Sequence, residues 1–149
     1  MKYLKSFESV NIQKKEDINL TPKNKQFVVA LSADFIVKED MTADVKLEFT
    51  EGFFLLNQTN KDGFIEINEF IIRDQYKGQR YGSKYLKLLC DYADKYFIVL
   101  QGSPVSAKLR FSNNLKDLEQ PELEAFYKRY GFEDFNGKII RYPKRQLID

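Results

Sequence analysis

Hydrophobic and polar positions alternate with period two over Val45-Lys46-Leu47-Glu48-Phe49, which predicts a half-buried strand. Short apolar runs at Phe27-Val28-Val29-Ala30-Leu31, Asp34-Phe35-Ile36-Val37 and Gly52-Phe53-Phe54-Leu55-Leu56 are also strand-like. Asn57 to Gly63 carries turn chemistry and closes on Asp62-Gly63, a strong hairpin signal, so residues 64–72 are expected to pair back on the preceding strand. From Tyr81 to Tyr96 the period lengthens. Tyr81, Tyr85, Leu88, Leu89, Tyr92 and Tyr96 form one helical stripe, with Lys84, Lys87, Asp91 and Asp94 largely off it. The unbroken run Tyr96-Phe97-Ile98-Val99-Leu100 suits a central parallel strand, ended by Gly102-Ser103-Pro104. Pro121 opens a second helix at a favoured first position; Leu123, Phe126, Tyr127 and Tyr130 give its stripe, and Gly131 stops it. Lys138-Ile139-Ile140-Arg141-Tyr142 is a last strand. Residues 11–26 are polar, broken by Pro22 and Asn24, and read as a loop or loosely held arm; residues 105–117 read as a polar loop with Lys108, Arg110 and Lys116. Antiparallel strands followed by strand–helix–strand–helix–strand predict a mixed α/β layer fold.

A length of 149 residues fits one domain over 1–149, with 1–26 as a candidate N-terminal arm. A 43% hydrophobic and 15% aromatic composition argues against disorder. The net charge of +2 gives no overall field toward nucleic acid or membrane, so neither is expected as a partner. The chain has no histidine, which excludes Ser-His-Asp and Cys-His catalysis and histidine-containing zinc sites. Its one cysteine, Cys90, forms no intramolecular disulfide and, mid-helix beside Leu89, reads as a buried inert thiol. Met1 to Val10 lacks the apolar run of a signal peptide, and no stretch reaches the length of a membrane span. The expected location is the cytoplasm.

Candidate chemistry concentrates in Gln75-Tyr76-Lys77-Gly78-Gln79-Arg80-Tyr81-Gly82-Ser83-Lys84-Tyr85-Leu86. Strand 64–72 feeds this basic glycine turn, which in turn opens a helix. The first backbone N–H groups of a helix have no internal partner and attract anions such as phosphate. Lys77 and Arg80 add two cations beside the positive helix end, each costing roughly 0.3–1 kcal/mol in the empty state. A bound anion reverses that sign. The spacing is neither a P-loop nor a dinucleotide GxGxxG.

This turn resembles the acetyl-CoA motif of the GNAT superfamily of acetyl-CoA-dependent N-acetyltransferases, Gln/Arg-x-x-Gly-x-Gly/Ala between a strand and a helix. Lys77-Gly78-Gln79-Arg80-Tyr81-Gly82 fills its six positions, with Lys77 for Gln/Arg and Arg80 for the first glycine. Phe126-Tyr127-Lys128-Arg129-Tyr130-Gly131-Phe132 is similar to the family's Phe-Tyr-x-x-x-Gly-Phe. The likeness covers roughly residues 50–142. It implies a GNAT-like acyl-CoA N-acyltransferase fold, a mostly antiparallel central sheet with flanking helices. It implies acetyl-CoA as co-substrate and transfer of its acetyl group to a primary amine, in a small molecule or a peptide, by direct attack. Backbone groups at Ile71 and Ile72 would hold the acetyl and pantetheine part. Amides of Lys77, Gly78, Gln79, Arg80, Tyr81, Gly82 and Ser83 would hold the pyrophosphate. Tyr127 would be the general acid and Glu66 the general base, directly or through water. Where the family carries an asparagine before the tyrosine helix, this chain has Glu119, Gln120 and Pro121. Homodimers through a sheet edge or a helix occur in the family.

The residues bear on those roles. A lysine-like amine is only about 0.04% neutral at pH 7, so attack on a thioester needs a base, a water chain or desolvation. Strict alternation places Glu66 on one face with Phe64, Phe70 and Ile72, an apolar setting that would raise its pKa, and Glu69 opposite with Ile65, Ile67 and Ile71. Two rivals stand beside the enzyme. One is a non-catalytic GNAT-like module that binds a partner or nucleic acid, for which loop 105–117, Lys144 and Arg145 supply cations. The other is an EF-hand-like calcium loop over 58–69. There Asn60, Asp62, Gly63, Ile65 and Glu69 fill the third, fifth, sixth, eighth and twelfth positions, and Gln58 stands where a first carboxylate belongs.

Overall fold

The structure, a computed structural model, describes residues 20–39, 44–59, 62–104 and 118–144. Among these residues three α-helices, α1 (Pro22–Leu31), α2 (Tyr81–Tyr96) and α3 (Gln120–Lys128), accompany seven strands. These are β1 (Ile36–Glu39), β2 (Val45–Phe49), β3 (Gly52–Gln58), β4 (Ile65–Ile72), β5 (Leu100–Gly102), β6 (Glu133–Phe135) and β7 (Lys138–Arg141). They form one sheet in the order β1-β2-β3-β4-β5-β7-β6. Among the described strands only β4 and β5 pair in parallel; the other neighbours are antiparallel. The expected α/β class, a mostly antiparallel mixed sheet with flanking helices, is the observed one.

One apolar cluster joins the helices to the sheet. Phe27, Val28 and Leu31 of α1, Leu86, Leu89 and Ala93 of α2, and Phe126 and Tyr127 of α3 meet Leu47, Phe54, Leu56, Ile65 and Leu100. Period-two burial in β2 and β3 follows from this cluster lying against one face of the strands. Beneath α2, Tyr85 stacks on Phe49 with ring centroids 3.7 Å apart, and its hydroxyl donates to Glu51 Oε1 at 2.7 Å.

Two sequence expectations change. Phe27 to Leu31 is helix, and the helix begins at Pro22 inside the supposed arm. Thr21 caps it through Oγ1, accepting from the Asn24 N–H at 3.2 Å, and Pro22 takes the first turn, where a missing N–H costs nothing. Asn24, Phe27, Val28 and Leu31 are its buried face, a spacing of three, one and three. The apolar run is the inward half of that face, which made it look like a strand. Residues 11–19 of the arm lie outside the described residues, as does loop 105–117. Second, α2 continues through Tyr96; Phe97 caps it in the left-handed region, so the parallel strand begins only at Leu100. Strand β6 is an addition.

The hairpin of β3 and β4 contains the decisive irregularity. Leu55 faces Glu69, but Leu56 faces Ile67, so Asn68 is an extra residue in β4. Such a bulge reverses which side chains share a face. Phe70 stacks on Phe54 at 4.1 Å, and with Ile72 packs on the apolar cluster alongside Ile65 and Ile67. Glu66, Glu69 and Ile71 share the opposite face. The expectation that Glu66 lies with Phe70 and Ile72 is therefore corrected. Gly52 fits here because a Cβ on it would lie 1.9 Å from the Ile71 carbonyl oxygen, closer than any side chain allows.

The hairpin also bears on the calcium-loop rival. Strands, not helices, flank it, and Gln58 Oε1 accepts from the Thr21 N–H and from Asn24 Nδ2. Asn60 lies outside the described residues.

Candidate active site

Strands β4 and β5 pair only at Ile65–Leu100, Glu66–Gln101 and Ile67–Gly102. Strand β5 then ends, while β4 runs on through Ile72 with β3 on its other side. Among the described residues, no strand pairs with the β5-facing edge of β4 beyond Ile67. An open edge of this kind binds an extended, amide-bearing chain by main-chain hydrogen bonds. Ile71 and Ile72, half-buried, lie on it.

Beyond Ile72 the chain makes a single 3-10 turn, Asp74–Tyr76, and reaches Lys77 to Arg80 before α2. Gly78 has φ 79°. Arg80, the helix N-cap, has φ 68° and ψ 16°. A left-handed non-glycine residue costs about 1–2 kcal/mol. The position that holds glycine in the resembled motif is thus one whose backbone favours glycine, and Arg80 adopts the conformation at that cost. No side chain caps α2 and no acidic residue stands in its first turn. The first intrahelical bond runs from Lys84 N–H to Arg80 C=O at 3.1 Å. The N–H groups of residues 80–83 precede it and point out of the helix end. An anion there meets oriented donors and the positive end of the helix dipole. Of the two cations, Lys77 is held by Asp74 at 3.0 Å, while Arg80 is exposed.

Helix α3 is fixed against this end of α2. Glu119 and Glu122 form a reciprocal capping box at its start. Gln120 Nε2 donates to the Pro104 carbonyl at 3.0 Å and to Glu124 Oε2 at 2.9 Å, tying the helix to the chain just past β5. A Cβ at Gly82 would meet Phe126 at 3.7 Å, an ordinary contact. Next to Phe126, Tyr127 is 6% exposed, edge-on to Phe126 at 5.5 Å and to Phe132 at 5.3 Å. Burial, with Cys90 a lesser contributor, pushes its phenol above the ordinary tyrosine range. Its hydroxyl has no hydrogen-bond partner among the described residues. Burial also lifts the Cys90 thiol to about 12, leaving it protonated and inert, as its place in the sequence suggests.

A comparison with solved structures finds Tetrahymena GCN5. The TM-score is 0.45 at 15% sequence identity, over 83% of this chain and 78% of that one, too distant a likeness to decide an activity. No protein-family model and no curated protein matches the chain.

Glu66 stands on the other side of the sheet. Its Oε2 accepts from Lys138 Nζ at 3.0 Å and from Gln101 Nε2 at 3.4 Å. Among the described residues a lysine and a glutamine, rather than Phe70 and Ile72, meet the carboxylate. The fold therefore gathers Ile71, Ile72, Lys77, Gly78, Gln79, Arg80, Tyr81, Gly82 and Ser83 into one continuous rim, with Tyr127 packed among the helices and Glu66 across the sheet. Sequence reasoning missed Lys138 and Gln101. Lys138 is 72 residues from Glu66, and only the register through β5 and β7 brings them together.

Proposed function

We propose that this protein is an acyltransferase that moves an acetyl group from acetyl-CoA to a primary amine. The observation that carries the proposal is the parting of β4 and β5 beyond Ile67, from which β4 leads without a break into the Gly78–Arg80 turn and the uncapped start of α2. That path matches a ligand with amides at one end and a pyrophosphate at the other. The edge of residues 68–72 takes the pantetheine amides, and the N–H groups of residues 80–83, with Arg80, take the phosphates.

The amine approaches from the Glu66 face, and Glu66 receives its proton, directly or through water. Tyr127 meets the departing sulfur from among the helices. Moving a proton from a phenol near pKa 10 to a thiolate near 8.5 is uphill by roughly 2 kcal/mol, and burial adds to that. The hydroxyl therefore acts chiefly by hydrogen-bonding the sulfur as charge builds on it, and the proton follows as the C–S bond breaks. An unpartnered hydroxyl is free to make that bond.

Titration calorimetry of the purified chain with acetyl-CoA, with calcium as control ligand, tests the reading. Micromolar acetyl-CoA binding with no calcium response is expected. Absence of acetyl-CoA binding would leave a fold without the activity, and a calcium response would restore the loop at 58–69.

Gly82 supplies a second test. Alanine fits the ligand-free protein, since the nearest atom to its Cβ is 3.7 Å away. Replacing a helical glycine gains up to about 1 kcal/mol, or roughly 2–4 °C in Tm for a chain of this size. Gly82→Ala is therefore expected to melt slightly higher while binding acetyl-CoA as tightly as before, because the resembled motif takes glycine or alanine at this position. A tenfold loss, about 1.4 kcal/mol, in a melt-and-titrate comparison would overturn the alignment that puts Gly82 at the Gly/Ala position.

A further inference from the structure

We infer that Lys138 is an acceptor in its own chain: the protein acetylates the ε-amine of Lys138 in cis. This rests on the acyltransferase reading above and goes beyond it. Lys138 Nζ lies 3.0 Å from Glu66 Oε2, so the chain's own primary amine already sits on the group assigned to receive the acceptor's proton. The lysine side chain is 48% exposed and the glutamate 21%, which makes the pair a partly open contact rather than a sealed structural bridge.

Register explains the placement. Ile67, Gly102 and Ile139 form one row across β4, β5 and β7. Lys138 is one residue further, in the row of the bulged Asn68, where β5 has ended. Its backbone thus stands at the mouth of the gap, and its side chain reaches back to Glu66. Rotation about its own bonds turns the amine along β4, toward Glu69 and Ile71 on the same face. A tethered amine also carries the advantage of an intramolecular reaction, because no second molecule has to be captured and oriented.

The step balances. The Lys138 ammonium gives a proton to Glu66, and the neutral nitrogen attacks the acetyl carbonyl carbon. A C–N bond forms and the C–S bond breaks, with its electron pair leaving on sulfur. The nitrogen loses its second proton as the amide forms, and the sulfur takes one. One acetyl group has moved and one proton is released overall. The amide carries no charge, so the ion pair ends and Glu66 is freed for an external amine.

The test is mass spectrometry of the intact chain and its peptides after incubation with acetyl-CoA, beside calorimetry on the same preparation. A gain of one acetyl group at Lys138 is expected, at a rate independent of protein concentration, at least tenfold faster than in the heat-unfolded chain, and absent in Lys138→Arg. Acetyl-CoA binding with Lys138 unmodified would overturn self-acetylation while leaving the acyltransferase reading intact. Acetylation proportional to protein concentration, or equally fast in the unfolded chain, would also overturn it. No acetyl-CoA binding at all would end both.

Discussion

Tyr127→Phe is expected to lower acetyl transfer by about 10²–10⁴-fold while leaving acetyl-CoA affinity and thermal stability unchanged. The separation of these effects follows from how the residue is held. Its ring is a wedge between Phe126 and Phe132, and phenylalanine keeps every one of those contacts. The hydroxyl has no partner among the described residues, so its removal strands no donor or acceptor and costs little in folding. Only an interaction made late in the reaction is lost, which lowers turnover and turnover per unit affinity together. Steady-state assay with a panel of primary amines, beside titration calorimetry, makes the comparison. Equal turnover in the two proteins would leave Tyr127 as a packing residue.

Asp94→Asn is expected to destabilise the fold by about 3–5 kcal/mol. For a chain of this size that lowers Tm by roughly 6–20 °C. Asp94, on α2, holds Arg141 of β7 through both carboxylate oxygens, at 2.9 and 3.0 Å. Arg141 is 2% exposed, and its Nε donates to the Tyr130 carbonyl at 2.6 Å. The Lys144 N–H adds a bond to Asp94 Oδ1 at 2.8 Å. One carboxylate thus joins α2, the end of α3, β7 and the following chain. Asparagine leaves the guanidinium buried with no counter-charge, which is the costly way to break such a pair. Burial alone would raise the Asp94 pKa, but the bonds from Arg141 and Lys144 outweigh it and hold the carboxyl below the usual range. A depressed folded value contributes stability that is fully present above the unfolded pKa of about 3.9 and is lost as pH falls through the folded value. Melting the two proteins across a pH series therefore shows the largest gap near neutrality and a narrowing gap in acid. A gap that does not change with pH would assign the loss to packing rather than charge.

Local features of the candidate site were legible because they are written in contiguous residues. The Asp62-Gly63 turn, the periodic stretch Tyr81–Tyr96 and the Lys77–Gly82 turn each depend on backbone preference and spacing within a short segment, and each appears where the pattern puts it. The helix at Pro22–Leu31 was not read, because its inward residues crowd into one apolar run and its capping residue Thr21 stands inside a polar stretch. The face of Glu66 was misread because alternation assumes one residue per row. A single extra residue at Asn68 moves Phe70 and Ile72 to the opposite side.

By itself the sequence determined the class of fold, the strand–turn–helix order proposed here as an anion site, and the absence of histidine chemistry, all properties of residue type and local period. Tertiary structure decided what could not be local. It set where β4 and β5 part, placed Phe126 against Gly82 at the start of α2, and brought Lys138 onto Glu66. The physical reason is that strand register and helix packing are fixed by burying one apolar face across elements far apart in the chain, and a polar pair on the other face inherits its position from that burial.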